Sequence, residues 1–217
     1  DLTKFMRGRF RNTWFAPFDP YEVNFNYTEA NSWQYSFYVP HDITGFMNLL
    51  GGKDQLERQL DNLFTANDKT SGREQADITG LIGQYAHGNE PSHHMAYLYN
   101  FVNKPYKTQE KTRQILTELY TNSPDGISGN EDCGQMSAWY IFSSLGFYPV
   151  TPGSNQYIIG SPLFDKATIH LEDGNSFTVE AKNNSLENKY IKNVQLNNKA
   201  YPYSYLKHSD IVNGGNL

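Results

Sequence analysis

The segment Asp42-Ile43-Thr44-Gly45-Phe46-Met47-Asn48-Leu49-Leu50-Gly51-Gly52-Lys53-Asp54-Gln55-Leu56-Glu57-Arg58-Gln59-Leu60-Asp61-Asn62-Leu63-Phe64 carries two helical repeats back to back. Asp42 can accept a hydrogen bond from the free amides of a first helical turn, and Ile43, Phe46, Met47 and Leu50 then fall on one face. Gly51-Gly52 supplies the terminator, because glycine enters the left-handed backbone region that ends helices. Leu56, Leu60, Leu63 and Phe64 make a second stripe. The same spacing, separated by short polar or Gly-containing joints, runs from about residue 29 to 146.

Working outward, a helix is expected around Trp33 to Tyr38, and a weaker one contains Ile78, Leu81, Ile82 and Tyr85. Pro91 suits the first turn of a helix carrying Met95, Leu98 and Tyr99. Ile115, Leu116, Leu119 and Tyr120 form a stripe after Lys107-Thr108, and Met136, Trp139, Tyr140 and Phe142 precede Gly146. About seven helices result from this spacing. After Pro149 and Pro152 the pattern changes to alternation over 157–160, 167–171, 176–181, 190–196 and 201–206, which predicts strands. Asp173-Gly174 marks a hairpin, and Asn183-Asn184 and Asn197-Asn198 fit further turns. The chain therefore reads as mainly α with a C-terminal antiparallel β unit, divided into residues 1–150 and 151–217.

Composition narrows the function. The 217 residues carry 18 Lys and Arg against 23 Asp and Glu, a formal net charge of -5, so the basic surface of a nucleic-acid binder is missing. Aromatics reach 15%, which fills a core and also supplies faces for stacking on sugars. The single cysteine, Cys133, excludes an internal disulfide and a multi-cysteine zinc cluster; it is expected as a small buried filler. No run approaches the roughly 20 apolar residues that cross a bilayer. Asp1-Leu2-Thr3-Lys4 has neither an initiator Met nor a leader pattern, so upstream chain is expected to be missing.

Three joints concentrate reactive groups. Tyr27-Thr28-Glu29-Ala30-Asn31-Ser32-Trp33-Gln34-Tyr35 sets a carboxyl among aromatics. Desolvation there would raise its pKa and suit a general acid, and the alternative is that Glu29 only favours a helix N-terminus. Gln84-Tyr85-Ala86-His87-Gly88-Asn89-Glu90-Pro91-Ser92-His93-His94 crowds three of the six histidines around one Glu. His87, Glu90 and His93 suggest a transition metal, but the His-Glu-x-x-His order of zinc peptidases is absent. Asn89 and Glu90 offer hard oxygens suited to calcium, and a solvated helix cap is the alternative. Asp125-Gly126-Ile127-Ser128-Gly129-Asn130-Glu131-Asp132-Cys133-Gly134-Gln135-Met136 places adjacent acids before an apolar helix. One could stay ionised as a base, the division of labour that glycosidases need, or could simply cap the helix.

Together with Pro40-His41-Asp42 and the continuation through Trp139-Tyr140, these ordered segments resemble the signature segments of glycoside hydrolase family 92, and the resemblance extends over essentially the whole chain. It implies an inverting exo-alpha-mannosidase acting with calcium on a mannose-containing glycan, alpha-1,2-linked mannose in particular. It also implies an (α/α)6 toroid, here partial, preceded by a β-sandwich and followed by the small β-sheet. By this resemblance Glu29 is the general acid and Asp132 the general base, assisted by Glu131 or by Asn130, where an Asn departs from the family pattern. Trp33, Gln34, His93 and His94 are implied as substrate-binding, and Asn89 and Glu90 as calcium ligands. A secreted, periplasmic or cell-surface location is implied too. The chain is expected to be a C-terminal portion, weak or inactive alone. A carbohydrate-binding or scaffold module, and a zinc metallopeptidase, are the competing readings.

Overall fold

The computed structural model describes residues 3–217; the first two residues of the N-terminal stretch read above lie outside the described residues. The chain forms two compact units. One runs up to Met95 and takes in Thr121–Met136; the other comprises Ala96–Tyr120 and Ser137–Leu217.

The first unit opens with an exposed hairpin of β1 (Arg9–Phe10) and β2 (Thr13–Trp14). β3 (Glu22–Val23) follows, then α1 (Ser32–Tyr35), α2 (Ile43–Leu50) and α3 (Lys53–Thr65). β4 (Ser71–Gly72) returns to pair parallel with β3. In α2 the Asp42 carboxylate accepts from the Gly45 amide at 2.8 Å, and Gly51 ends the helix at φ 109. Ile43, Phe46 and Leu50 are buried, whereas Leu49 on the opposite face is 84% exposed, as the stripe requires. Leu56, Leu60 and Leu63 of α3 are completely buried. Each such side chain contributes about 1.5–3 kcal/mol relative to exposure, so these two faces are a main source of this unit's stability.

Two helices expected here are something else. Residues 81–86 form a hairpin of β5 (Leu81–Ile82) and β6 (Tyr85–Ala86), with Ile82 opposite Tyr85. Gly83 turns it at φ 60, where a Cβ would lie 2.4 Å from the Leu63 carbonyl oxygen. The apolar spacing fitted a helix, but Gly80, Gly83 and Gly88 break the backbone there, and close approach to α3 decides the outcome. Glu90–Ser92 and Met95–Val102 wind as 3-10 rather than α segments. Residues 95–100 are buried, so no amphipathic stripe governs their winding.

In the second unit α4 (Pro105–Glu118) starts with Pro105 in its first turn, where the missing N–H is harmless. α5 (Gln135–Leu145), whose first two residues belong to the first unit, runs into β7 (Phe147–Tyr148). The strands β8 (Gln156–Ile159), β9 (Lys166–His170), β10 (Ser176–Glu180), β11 (Gln195–Leu196), β12 (Lys199–Ala200) and β13 (Tyr205–Lys207) follow. Last come α6 (His208–Val212) and β14 (Gly215–Asn216). One sheet has the order β13-β8-β7, and another β14-β10-β9. The β9–β10 hairpin appears as expected, with His170 opposite Ser176. Only Gly174 has positive φ there, so its loop is not the two-residue turn that Asp-Gly suggested. At β11–β12 both Asn197 and Asn198 are left-handed, the requirement of a type I′ turn. The expected strands at 190–196 and 201–206 shrink to 195–196 and to 199–200 with 205–207, and β14 pairs parallel to β10, a departure from a purely antiparallel unit. Phe147, Ile159, Phe177, Val179, Leu206 and Ile211 make the core.

Candidate active site

The site lies in the first unit and is built from three loops. Glu29 is half-buried in a bend two positions before the N-cap of α1. Asn31 performs the capping: its side chain accepts from Trp33 N at 3.0 Å and Gln34 N at 3.4 Å, while Gln34 Oε1 accepts from Asn31 N at 2.9 Å. With no acid in the first turn of α1, the Glu29 carboxyl is not used for capping. The bend is held by Arg73, which donates to the Thr28 carbonyl at 3.0 Å. Trp33 turns inward, its ring 4.7 Å from Phe5 and 5.8 Å from Tyr21, with a buried indole N–H that has no partner. Gln34 is buried and donates to the Gln84 carbonyl at 2.8 Å.

Gln84 is the knot that ties this loop to the histidine-rich one, and sequence reasoning gave it no role. Its amide oxygen accepts from Asn31 Nδ2 at 2.8 Å, and its amide nitrogen donates to the Asn67 carbonyl at 2.6 Å. A wholly buried Gln whose groups are all used is invisible in a sequence, since nothing in its neighbours announces burial. Beyond it, Asn89 is buried at the start of the Glu90–Ser92 segment and makes no capping bond with its side chain.

The third loop docks on the second through glycine contacts. A Cβ on Gly88 would lie 1.9 Å from Thr79 Oγ1 and 3.0 Å from the Ser128 carbonyl oxygen. One on Gly129 would lie 2.7 Å from Thr79 Oγ1 and 3.1 Å from the Gly88 carbonyl oxygen. Only backbones without side chains approach so closely. The following turn is left-handed at three successive residues, Asp132 (φ 54), Cys133 (φ 57) and Gly134 (φ 96). For the two non-glycines this costs about 1–2 kcal/mol each, and strain of this kind gathers at functional sites. The Glu131 carboxylate accepts the Gly134 N–H, Gln135 N donates to the Asp132 carbonyl at 3.2 Å, and Met136 N donates to the Glu131 carbonyl at 3.2 Å. Glu131 thus serves the turn, and Asp132 is left projecting. Cys133, expected to be buried, is exposed because the left-handed turn lifts it off the fold.

These loops bring carboxyls together. The Glu90 carboxyl hydrogen-bonds that of Asp132 and feels the charges of both Asp132 and Glu29. Its pKa is raised, first by desolvation, then by the Asp132 hydrogen bond and the two charges, against an opposing bond from its own backbone N–H. Burial and the neighbouring acids thus hold the Glu90 carboxyl towards its protonated form. The acid touching Asp132 is therefore Glu90.

The histidines are buried and neutral. His87 Nδ1 meets the Tyr85 hydroxyl at 2.8 Å, and burial pushes its pKa well down. His93 is lowered to about 4 by burial, with Nε2 2.9 Å from the His87 carbonyl oxygen and Nδ1 3.0 Å from Gln135 Nε2. His94 Nε2 lies 2.8 Å from the Phe37 carbonyl oxygen, and burial lowers its pKa to about 4. Among the described residues no three His, Cys, Asp or Glu side chains converge as a ready metal cage.

His94 makes a testable prediction. Its folded pKa of about 4 is below the ordinary 6.5 of histidine, so the unfolded chain binds a proton that the fold refuses. Stability present above pH 6.5 is lost as pH falls towards 4 and changes no further below that. The loss amounts to about 3 kcal/mol. In urea titrations between pH 7 and 4, His94→Gln should show a decline smaller by about that amount; an identical decline would refute the assignment.

Residues 1–217 match the Glycosyl hydrolase family 92 catalytic domain. A family GH92 alpha-mannosidase of Bacteroides thetaiotaomicron, solved in complex with mannoimidazole, superposes with a TM-score of 0.91 at 43% identity, over 99% of this chain and 29% of that one. A family GH92 inverting mannosidase of Bacteroides thetaiotaomicron VPI-5482 gives 0.85 at 38% identity, over 98% of this chain and 30% of its own. An uncharacterized secreted glycosidase of Arthroderma benhamiae is 31% identical over 192 residues, 87% of this chain and 23% of that protein. The chain thus spans between a fifth and a third of the length of these relatives. With the family profile matching the chain from end to end, and the helices and strands superposing on solved members at about 40% identity, the chain belongs to glycosyl hydrolase family 92.

Proposed function

We propose that the protein is an inverting exo-alpha-mannosidase that removes terminal alpha-1,2-linked mannose from a glycan, and that this chain supplies its acid and base within part of an (α/α)6 toroid. The observation that carries the reading is the gathering of Glu29, Glu90 and Asp132, with Asp132 on a strained, projecting turn. Glu29 donates its proton to the glycosidic oxygen as the C1–O bond breaks. Asp132 takes a proton from the water that attacks C1 on the opposite face, so the product leaves with inverted configuration.

Calcium fits the donor chemistry of this corner. Glu90 offers carboxyl oxygens there, and Asn89 adds a buried amide free of capping duty. Asn89 and Glu90 would hold the ion, with backbone oxygens, water or sugar hydroxyls completing a set of 6–8 oxygens. When bound, calcium supplies positive charge that binds mannose hydroxyls and favours a distorted ring. Trp33, Gln34, His93 and His94, buried and engaged within the fold, support the loops of the mannose site from behind. A secreted, periplasmic or surface location is consistent with the secreted fungal relative, and no helix among the described residues is long and apolar enough to cross a membrane.

The test is mannose release by the full-length protein from alpha-1,2-mannobiose, with the first-formed anomer followed by NMR. Beta-mannose should appear first, release should stop with a chelator, and added calcium should restore it. First-formed alpha-mannose would refute inversion, chelator-resistant release would refute the calcium role, and sugar binding without release would favour a binding module.

A further inference from the structure

We propose that Gln135 is a positioning residue for the base: its side-chain amide, fixed by the imidazole of His93, holds the left-handed turn that carries Asp132. The proposal rests on the reading of Asp132 as the base. The turn is left-handed at the exposed Asp132 and Cys133, so backbone preference does not keep it in place; the Glu131 carboxylate braces it from within, and Gln135 ties it to buried side chains. Gln135 is the first residue of α5, and its backbone N–H donates to the Asp132 carbonyl at 3.2 Å. Its side chain reaches the other way, to His93 Nδ1 at 3.0 Å.

The hydrogen-bond direction is fixed by a carbonyl. His93 Nε2 faces the His87 carbonyl oxygen at 2.9 Å, which can only accept, so Nε2 carries the proton and Nδ1 accepts from the Gln135 amide. His93 is 2% exposed, so water does not compete for that bond. Behind it the rings of His93 and His87 lie 5.1 Å apart, Tyr85 stacks on His87 at 5.8 Å, and Phe64 of α3 lies 4.9 Å from Tyr85. The Gln135 N–H thereby refers the position of Asp132 to the buried side chains of α3. Gln135 touches no reacting atom in this scheme; it acts through Asp132.

The experiment uses the full-length enzyme, an aryl alpha-mannoside with a good leaving group, and azide. Azide forms the C1–N bond as the C1–O bond breaks and the phenolate departs, and it surrenders no proton, so it bypasses a misplaced base. Gln135→Met keeps the length and removes the donor. It should lower kcat about 10- to 100-fold, the scale of a misplacement of about 1 Å, with KM changed less than about twofold because ground-state binding is untouched. Azide should restore turnover and yield beta-mannosyl azide, and Gln135→Lys, which keeps a donor, should recover part of kcat. Asp132→Ala run alongside separates the two ideas. Full activity in Asp132→Ala would refute the base reading itself. An inactive, azide-rescued Asp132→Ala beside a Gln135→Met of unmodified kcat would overturn only the positioning role. A loss in Gln135→Met that moves KM and melting temperature together and ignores azide would also overturn it. Gln135→Glu, equally long and without the N–H, repeats the measurement; if both variants fail to fold, the residue belongs to the fold and the proposal is wrong.

Discussion

Asp132→Asn in the full-length enzyme should reduce kcat by about 10²- to 10⁴-fold, the range that general base catalysis contributes. The physical basis is the turn at 132–134. Asp132 is exposed and left-handed, its carboxyl meets that of Glu90, and none of the helix-capping bonds uses it. Asn preserves the shape and the turn, and asparagine tolerates left-handed backbone better than most residues. What it lacks is basicity: the amide oxygen accepts a hydrogen bond but does not take up a proton from water. The melting temperature should therefore hold while kcat collapses, and KM should change little. An Asp132→Asn enzyme with kcat within about threefold of the original would remove Asp132 as base, since that factor is less than 1 kcal/mol of barrier.

Glu29→Gln should be as damaging on natural linkages and much less so on activated ones. A sugar alkoxide is a poor leaving group and departs only with a proton, so loss of the acid should lower kcat/KM for mannobiose by about 10²- to 10⁴-fold. A nitrophenolate is stable as the anion and departs without help, so the same variant should retain most of its rate on the aryl mannoside. The ratio of the two substrates is the diagnostic quantity. Equal losses on both would mean that Glu29 binds or shapes the site without donating a proton. The structure gives this test a clean background: Asn31, not Glu29, caps α1, so removing the charge should leave the helix intact.

The stripes of α2 and α3 were legible because one periodicity, a cap and a glycine pair all agreed there, and each buried residue has its own apolar identity. The hairpin at 81–86 was misread for the opposite reason. Four apolar residues fit two periods, and the contact that decides, Gly83 against the Leu63 carbonyl, is made with residues twenty positions away. Cys133 was read as buried from its residue type, and the left-handed turn that exposes it has no sequence signal beyond Gly134. Gln84 and Gln135 were given no role from sequence because a glutamine looks alike whether it is solvated or holds two loops together.

The sequence by itself determined the stripes of α2 and α3, the positions of the β9–β10 and β11–β12 turns and the three chemically dense loops, because those depend on residue identity and on spacing within a few positions. Tertiary structure alone decided which acid meets which. Glu90 and Asp132 are 42 positions apart, and Glu131 stands next to Asp132 in the chain, yet the left-handed backbone at Asp132 and Cys133 and the glycine contacts at Gly88 and Gly129 bring Asp132 against Glu90 and assign Glu131 to the turn. Contact between carboxyls is a matter of ångströms, and separations of that kind are set by packing between loops.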